Sequence, residues 1–399
     1  MKIGILTFHS QLNYGGVLQC WALQTALREL GQEVVVIDRR LEAGERSFSG
    51  IAAKLTFCAW IRILIRGLLG CGDFSWLKRC SQTACFIKER LNITQYSFYD
   101  WRYAPRNLGV DVVVVGSDQV WHCGEWGNPL PYLLENAPSV RAIAYAASFG
   151  MEKLPKHVFN DFAGQGNNDA VVVYKKGLSR FERISCRESA GVEICKSLGY
   201  EATHVVDPTL LAFYGRRCIA KQRVNTERPT LVCYFMGVDV FSVIDELESF
   251  ACEKGCKVVV FTDSPLTPIC KSLCRFLDNL RRSYRGLISI VQIRTAAGPA
   301  EFFETIVNAQ WTITDSFHAL MFSIIGHAEV RILRPYSAFR RKIFSRISEF
   351  ADHARGKLVV PSVGAALKSF AHGESVVFDE EWLRNRVERS RNWLKEAIR

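Results

Sequence analysis

Short apolar strands alternate with helical segments in two successive series, separated by one polar stretch, and this pattern predicts an α/β chain of two Rossmann-like domains facing a cleft. With 399 residues and 48% hydrophobic content, the chain can bury two cores rather than one. Its strands suit parallel sheets, because runs such as Asp111–Val115 (DVVVV) are continuously apolar, as strands covered by helices on both faces are.

Ile3–Thr7 reads as the first strand and Val17–Leu30 as the following helix, stopped at Gly31, which suits the left-handed turn that ends helices. Val34–Ile37 is the next strand. Ile51–Gly70 (IAAKLTFCAWIRILIRGLLG) is apolar but carries Lys54, Arg62 and Arg66, which argue against a membrane-spanning helix and for an amphipathic one. Two readings of it stand side by side: docking on an anionic membrane surface, or packing on its own domain with a basic edge in water. Asp111–Val115, Ala142–Ala146 and Ile184–Cys186 follow as strands, and His204–Val206 leads into a turn at Asp207-Pro208-Thr209. The first domain is therefore expected over residues 1–215, with the basic stretch Arg216–Arg228 as the connection. Strands Leu231–Met236, Lys257–Phe261 and Trp311–Thr314 then alternate with helices Phe241–Lys254, Glu301–Ala309 and a last one bearing His318, giving a second domain over 229–370. Residues 371–399 are expected to add a strand and a basic helix, Glu380–Arg399, packed on the domains through Leu383, Val387, Leu394 and Ile398.

Lys2 leads directly into the first strand with no small-residue cleavage site, and the fourteen cysteines are scattered among apolar positions such as Cys20, Cys58, Cys195 and Cys233. Both features suit a cytoplasmic protein with reduced, buried thiols. Cys252/Cys256 and Cys270/Cys274 are each spaced by one helical turn and lack the tight turn of a zinc knuckle, so no metal is expected. The net charge of +11 needs a partner. No helix-turn-helix, zinc-finger or RNP-like pattern points to nucleic acid, so an anionic small molecule, a lipid-linked substrate or a membrane surface fits better.

The most informative stretch is Trp311–Ile325 (WTITDSFHALMFSII), where a β-rich run gives way to a helix at Asp315-Ser316. Asp315 or Ser316 is expected to cap that helix, which places His318 in its first turn, where free amides and the helix dipole favour an anion. A plain core or capping histidine is the competing reading. Three other segments are expected at the same cleft. His9–Gly16, after the first strand, offers Asn13 and Tyr14 as hydrogen-bonding groups and Gly15 and Gly16 for close backbone approach. Gly116-Ser117-Asp118-Gln119-Val120-Trp121 follows DVVVV and resembles a substrate wall, against the simpler reading of a helix cap with a packed indole. Arg187, in Ser185–Ser189, sits at a strand end where its planar fork can hold phosphate or carboxylate, or simply pair with a carboxylate of the protein.

These segments together resemble the polysaccharide pyruvyl transferase family. The resemblance is carried by NYGGVLQCWALQTAL, DVVVVGSDQVWH, RAIAYAASFG, ISCRESAGVEI, VVDPTLL and GPAEFFETIVNAQWTITDSFHALMFSII, in the family's order. It implies a GT-B-like fold and transfer of pyruvate from phosphoenolpyruvate to a sugar as a ketal. It also implies donor-binding and catalytic roles for His318, in the SFH motif, and Arg187, in the RE motif. Ala319 stands where glycine usually follows SFH, and Gly16 where alanine is common. For the basic residue expected downstream, Arg340, Arg341 and Lys342 are candidates.

The chemistry is consistent with such a site. Phosphoenolpyruvate must be protonated at its methylene carbon and attacked by sugar hydroxyls. That calls for an acid (His318), cations and amides for two anionic groups (Arg187, Arg340, the amides at Ser316–His318), and a carboxylate near the sugar (Asp118). Ser117 and Gln119 complete the expected binding set. No cofactor is expected beyond phosphoenolpyruvate as donor substrate. The expected partners are a sugar or lipid-linked oligosaccharide acceptor and, at the inner face of the plasma membrane, an anionic lipid surface. A nucleotide-sugar-dependent glycosyltransferase of the same fold, and a catalytically silent partner of polysaccharide-assembly enzymes, are the alternatives.

Overall fold

Runs of β-branched residues form the strands, and in the computed structural model every member of Val112–Val115 is buried. The structure describes residues 1–10, 12–40, 75–123, 128–158, 168–216, 228–262, 290–334 and 346–399. The first sheet contains β1 (Lys2–Leu6), β2 (Glu33–Arg39), β3 (Ile93–Phe98), β4 (Val112–Val115), β5 (Arg141–Ala147), β6 (Arg183–Cys186) and β7 (Thr203–His204), all parallel, in the order β3-β2-β1-β4-β5-β6-β7. The second contains β8 (Thr230–Phe235), β9 (Lys257–Thr262), β10 (Val291–Arg294), β11 (Trp311–Thr314), β12 (Glu329–Leu333) and β13 (Val359–Val360), also parallel, in the order β10-β9-β8-β11-β12-β13. In both sheets the strand order reverses at the same place, between the first and fourth strands. Loops leaving the carboxyl ends of those strands therefore open the crevice where doubly wound sheets bind ligands.

The helices are α1 (Tyr14–Glu29), α2 (Ser75–Arg90), α3 (Ala170–Leu178), α4 (Ser189–Ser197), α5 (Pro208–Phe213), α6 (Ile244–Lys254), α7 (Pro299–Val307), α8 (Phe317–Ile325), α9 (Val363–Ala371) and α10 (Glu380–Ala397). Helix α1 begins three residues earlier than its apolar pattern suggests, because the Asn13 side chain caps it by accepting from Gly15 N at 2.9 Å. Asp207-Pro208-Thr209 is the cap and first turn of α5 rather than a simple domain-closing turn, with proline at the position where its missing N–H costs nothing. Helix α10 buries Leu383, Val387, Leu394 and the following Ile398, and it returns to the first sheet's side of the molecule. There Ser390 Oγ accepts from Val206 N at 2.9 Å, and Arg141 donates to the carbonyls of Ala397 and Ile398, each at 3.0 Å. Among the described residues no helix is long and apolar enough to cross a membrane. Ile51–Gly70, Cys58, and Cys270 and Cys274 lie outside the described residues, while Cys20, Cys195 and Cys233 are buried and free.

One apolar cluster runs through both halves, joining α1, α5 and α10 to α7 and α8. Tyr14, expected to face a ligand, is instead a pin in this interface. It is 1% exposed, its ring stacks on Phe302 with centroids 4.2 Å apart, and its hydroxyl donates to the Ala297 carbonyl at 2.8 Å. Arg79 of α2 lies over the other side of the pin, 4.1 Å from the ring centroid, and bridges the Leu12 carbonyl (2.7 Å) to the Thr262 carbonyl (3.2 Å). The first-turn position of Tyr14 on α1 explains the misreading, since sequence alone does not say which way that turn faces. Replacing Tyr14 by phenylalanine is expected to cost about 1 kcal/mol of stability, and by alanine about 3 kcal/mol or more. Urea unfolding of the two variants against the parent protein measures the difference.

Candidate active site

Four strand ends meet at the cleft. Arg187 directly follows β6 and is buried, with its guanidinium spread between carboxylates. Its Nη2 donates to Asp118 Oδ1 at 2.8 Å and its Nη1 to Asp207 Oδ2 at 3.0 Å, while Nε lies 3.7 Å from Glu188 Oε2. Phe317 lies beneath, its ring centroid 5.0 Å from the guanidinium carbon. Burial alone would lower the arginine's pKa, but Asp118, Asp207 and Glu188 outweigh it and raise it. The arginine fork expected to be open for an anion is thus already filled by two carboxylates of the protein.

Asp118 reaches its place through a left-handed backbone (φ 71°) just after β4, a conformation that aspartate tolerates better than most residues. Its carbonyl accepts from Val120 N at 2.7 Å and Ser148 N at 3.0 Å, which locks the bend. Burial pushes the Asp118 pKa up, but Arg187, His318 and Arg346 overcome that and hold the carboxyl below its usual range. Asp207 uses one oxygen to cap α5, accepting from Thr209 N (3.0 Å) and Oγ1 (2.7 Å), and the other to meet Arg187 and the Ser117 hydroxyl (3.4 Å). Ser117 is completely buried, so it braces Asp207 instead of lining the cleft. No helix follows Ser117-Asp118, and Trp121 is no substrate wall: it is 0% exposed, packed against Phe149 and Phe181, with its indole N–H donating to the Tyr132 carbonyl at 3.2 Å.

From the second half, α8 brings His318 to this cluster. Its Nε2 lies 3.4 Å from Arg187 Nη1 and 3.8 Å from Asp207 Oδ2. Because arginine can only donate, Nε2 is the acceptor, so the ring is neutral with its proton on Nδ1. Burial lowers the His318 pKa; Asp207 and Asp118 raise it, and Arg187 and Arg346 add to the lowering, with a net result below the usual value. Ser316 occupies the cap position of α8 without a side-chain capping bond, and Asp315 instead accepts from Met236 N at 2.7 Å, tying the end of β8 to this loop. The expected side-chain cap is therefore absent, and the amides of the first turn are left with no intrahelical carbonyl to bond.

Gly15 and Gly16 line the opposite wall. A Cβ on Gly15 would stand 2.2 Å from His318 Nδ1, so only glycine leaves room for the ring, whereas at Gly16 a Cβ would come no nearer than 3.7 Å to Asp118. Asn13 is exposed beside them. Gln119, with its amide oxygen turned to the second half, accepts from both terminal nitrogens of Arg346 at 3.0 Å. Arg346 lies in the helical residues 346–352 and is buried. Its pKa is pushed down to about 10, by burial and then by Arg187, despite Glu188, Asp118 and Asp207. Arg340, Arg341 and Lys342 lie outside the described residues. Asp207 and Arg346 were not singled out by sequence reasoning. Asp207 had a signal in its Asp-Pro-Thr cap motif, and Arg346 only its place behind the basic run 340–342.

Two doubly wound sheets with a histidine and a buried arginine–carboxylate cluster between their facing switch points define a GT-B-like enzyme cleft. The fold is similar to that of UDP-GlcNAc 2-epimerase from Neisseria meningitidis bound to UDP-GlcNAc, with 8% identity over 100% of this chain and 99% of that one and a TM-score of 0.50. The corresponding epimerase of Methanocaldococcus jannaschii aligns at 12% identity over 93% and 91% of the two chains (TM-score 0.46), and MurG of Acinetobacter baumannii at 10% over 98% and 95% (TM-score 0.38). No curated protein matches the chain. The sequence model of the polysaccharide pyruvyl transferase family matches residues 13–334, and the chain belongs to that family.

Gly15→Ala is expected to displace the His318 ring and lower activity at least tenfold and, because Gly15 is buried against that ring, to lower the melting temperature as well. Turnover measured beside a thermal melt separates the two effects.

Proposed function

We propose that this enzyme transfers pyruvate from phosphoenolpyruvate to a sugar of a surface polysaccharide, or of its lipid-linked precursor, as a ketal. The observation that supports this most is the meeting of His318 with two buried arginines, one of which, Arg346, is answered among the described residues by the neutral amide of Gln119. A buried cation without a bonded carboxylate is poised for an anionic ligand. Arg346 and the first-turn amides of α8 would take the donor's phosphate or carboxylate, with Arg187 as the fixed charge beside it.

His318, protonated when the donor anion enters, gives a proton to the methylene carbon, whose double-bond electron pair forms the new C–H bond. The adjacent carbon is left cationic, bearing methyl, carboxylate and phosphate. One acceptor hydroxyl bonds to it and loses its proton; the C–O bond to phosphate breaks; a second hydroxyl bonds to the same carbon and loses its proton. One proton enters and two leave, one restoring the histidine and one going to solvent or phosphate. Asp118, kept ionised by Arg187, is better suited to orienting a hydroxyl than to acting as a strong base. The acceptor class and the +11 charge suit work at an anionic membrane face.

Phosphoenolpyruvate is expected to raise the melting temperature, and a panel of 4-nitrophenyl glycosides is expected to include one that gains a pyruvyl group with release of one phosphate, read by mass and phosphate assay. Tight binding of a nucleotide sugar with no response to phosphoenolpyruvate would overturn this reading. His318→Ala is expected to lower turnover roughly a hundredfold or more while donor binding partly survives. The free ring's pKa lies below 6.5 and a bound phosphate raises it, so binding takes up a proton. Donor affinity, measured by calorimetry, should accordingly fall as the pH rises through that window, and His318→Ala should lose the component that the ligand's own titration does not explain.

A further inference from the structure

His9 and Asp38 form a second polar cluster at the carboxyl edge of the first sheet, separate from the arginine cluster. His9, in the loop after β1, is 2% exposed. Its Nε2 lies 3.2 Å from Asp38 Oδ1 and its Nδ1 3.3 Å from the Thr7 carbonyl, so both ring nitrogens face oxygen acceptors. Asp38 is the penultimate residue of β2, and its side chain keeps 18% of its surface open. Among the described residues its other oxygen meets Arg40 Nε, at 3.5 Å, on a side chain half in solvent. Burial pushes the Asp38 pKa up, but His9 and then Arg40 outweigh it and keep the carboxyl ionised well into the acid range.

Parallel pairing already holds β1 to β2 from Lys2 to Ile5, so the pair is not needed to join the strands. A buried imidazole beside a carboxylate is weak as a stabilising device. Its position has a chemical meaning instead. Asp38 shares the sheet face of Val34 and Val36, the face covered by α1, whose first residues Gly15 and Gly16 border His318 and Asp118. In doubly wound folds that bind dinucleotides, an acidic residue just beyond the first helix accepts a hydrogen bond from a ribose hydroxyl, and Asp38 occupies the comparable place at the end of the second strand. A ketal bridges two hydroxyls of one sugar, so its acceptor must present a diol. We propose that Asp38, fixed from behind by His9, is the carboxylate that reads the acceptor's hydroxyls on the first domain, while the donor lies toward Arg346 and α8. Asp38 is then a specificity-determining residue and His9 a positioning residue. This rests on the donor reading above.

The test uses the full chain with phosphoenolpyruvate and the 4-nitrophenyl glycoside that the wild-type protein turns over fastest. Asp38→Asn keeps the shape and removes the charge, and is expected to raise the glycoside KM about tenfold or more while leaving the phosphoenolpyruvate KM within about twofold. His9→Gln is expected to raise the same KM by less, and Asp38→Ala by at least as much as Asp38→Asn. Melting curves confirm that each variant is folded; if Asp38→Ala is not, Asp38→Asn alone decides. An unchanged glycoside KM in folded Asp38→Asn, or a rise confined to the phosphoenolpyruvate KM, overturns the assignment and leaves the donor reading standing. If the wild-type protein releases no phosphate from phosphoenolpyruvate with any glycoside of the panel, the donor reading fails and this proposal falls with it.

Discussion

Placing a guanidinium in a protein interior costs several kcal/mol unless acceptors meet it, and at Arg187 two bonded carboxylates come from separate parts of the first half while a third lies 3.7 Å from Nε. Asp118 arrives from the bend after β4, Glu188 from the residue beside Arg187, and Asp207 from the cap of α5. Each carboxylate has its backbone fixed by something else: a left-handed turn, a strand end or a helix start. The arginine therefore makes the carboxyl edge of the sheet a single electrostatic unit. The state of His318 is set beside it: burial holds the ring's pKa down, Asp207 and Asp118 pull it up, and Arg187 and Arg346 add to the lowering.

Much of this was legible in the sequence because parallel strands covered on both faces leave a plain trace. DVVVV and the short runs at 142–146 and 184–186 needed no periodicity to be recognised, and the residues just beyond them, Asp118 and Arg187, could be placed at strand ends. His318 was placed by the same logic after β11. What failed was side-chain direction. Tyr14 and Asn13 are neighbours in one polar-looking loop, yet one is sealed between the halves and the other stands in water. Trp121 follows a site residue by three positions and points into the core. Capping was misplaced for a related reason: Asp315 had a strand end, Met236, close enough to take its carboxylate, and no local rule announces a partner 79 residues away. β3, β10, β12 and β13 also escaped, being short or of mixed polarity, and they were added by pairing with stronger neighbours.

Asp207 and Arg346 show how far local pattern carries. The Asp-Pro-Thr signature announces a helix start and accounts for one carboxylate oxygen; the use of the other depends on Arg187, twenty residues back, which no cap rule contains. Arg346 has no pattern of its own. Its meaning comes from what surrounds it, a like charge, three carboxylates that act on it from a distance and a neutral amide that bonds it, and that combination exists only after the two halves come together.

Helix α10 leaves the second half and lies against the first, where Arg391 donates to the Leu211 carbonyl and Glu349 joins Arg386 to His204. The polypeptide thus passes between the halves twice, once through the connection before β8 and once into this helix. Helix α10 therefore gives the halves a second covalent link beside the apolar cluster they share, so pulling them apart would expose Tyr14, Phe302 and the buried face of this helix together.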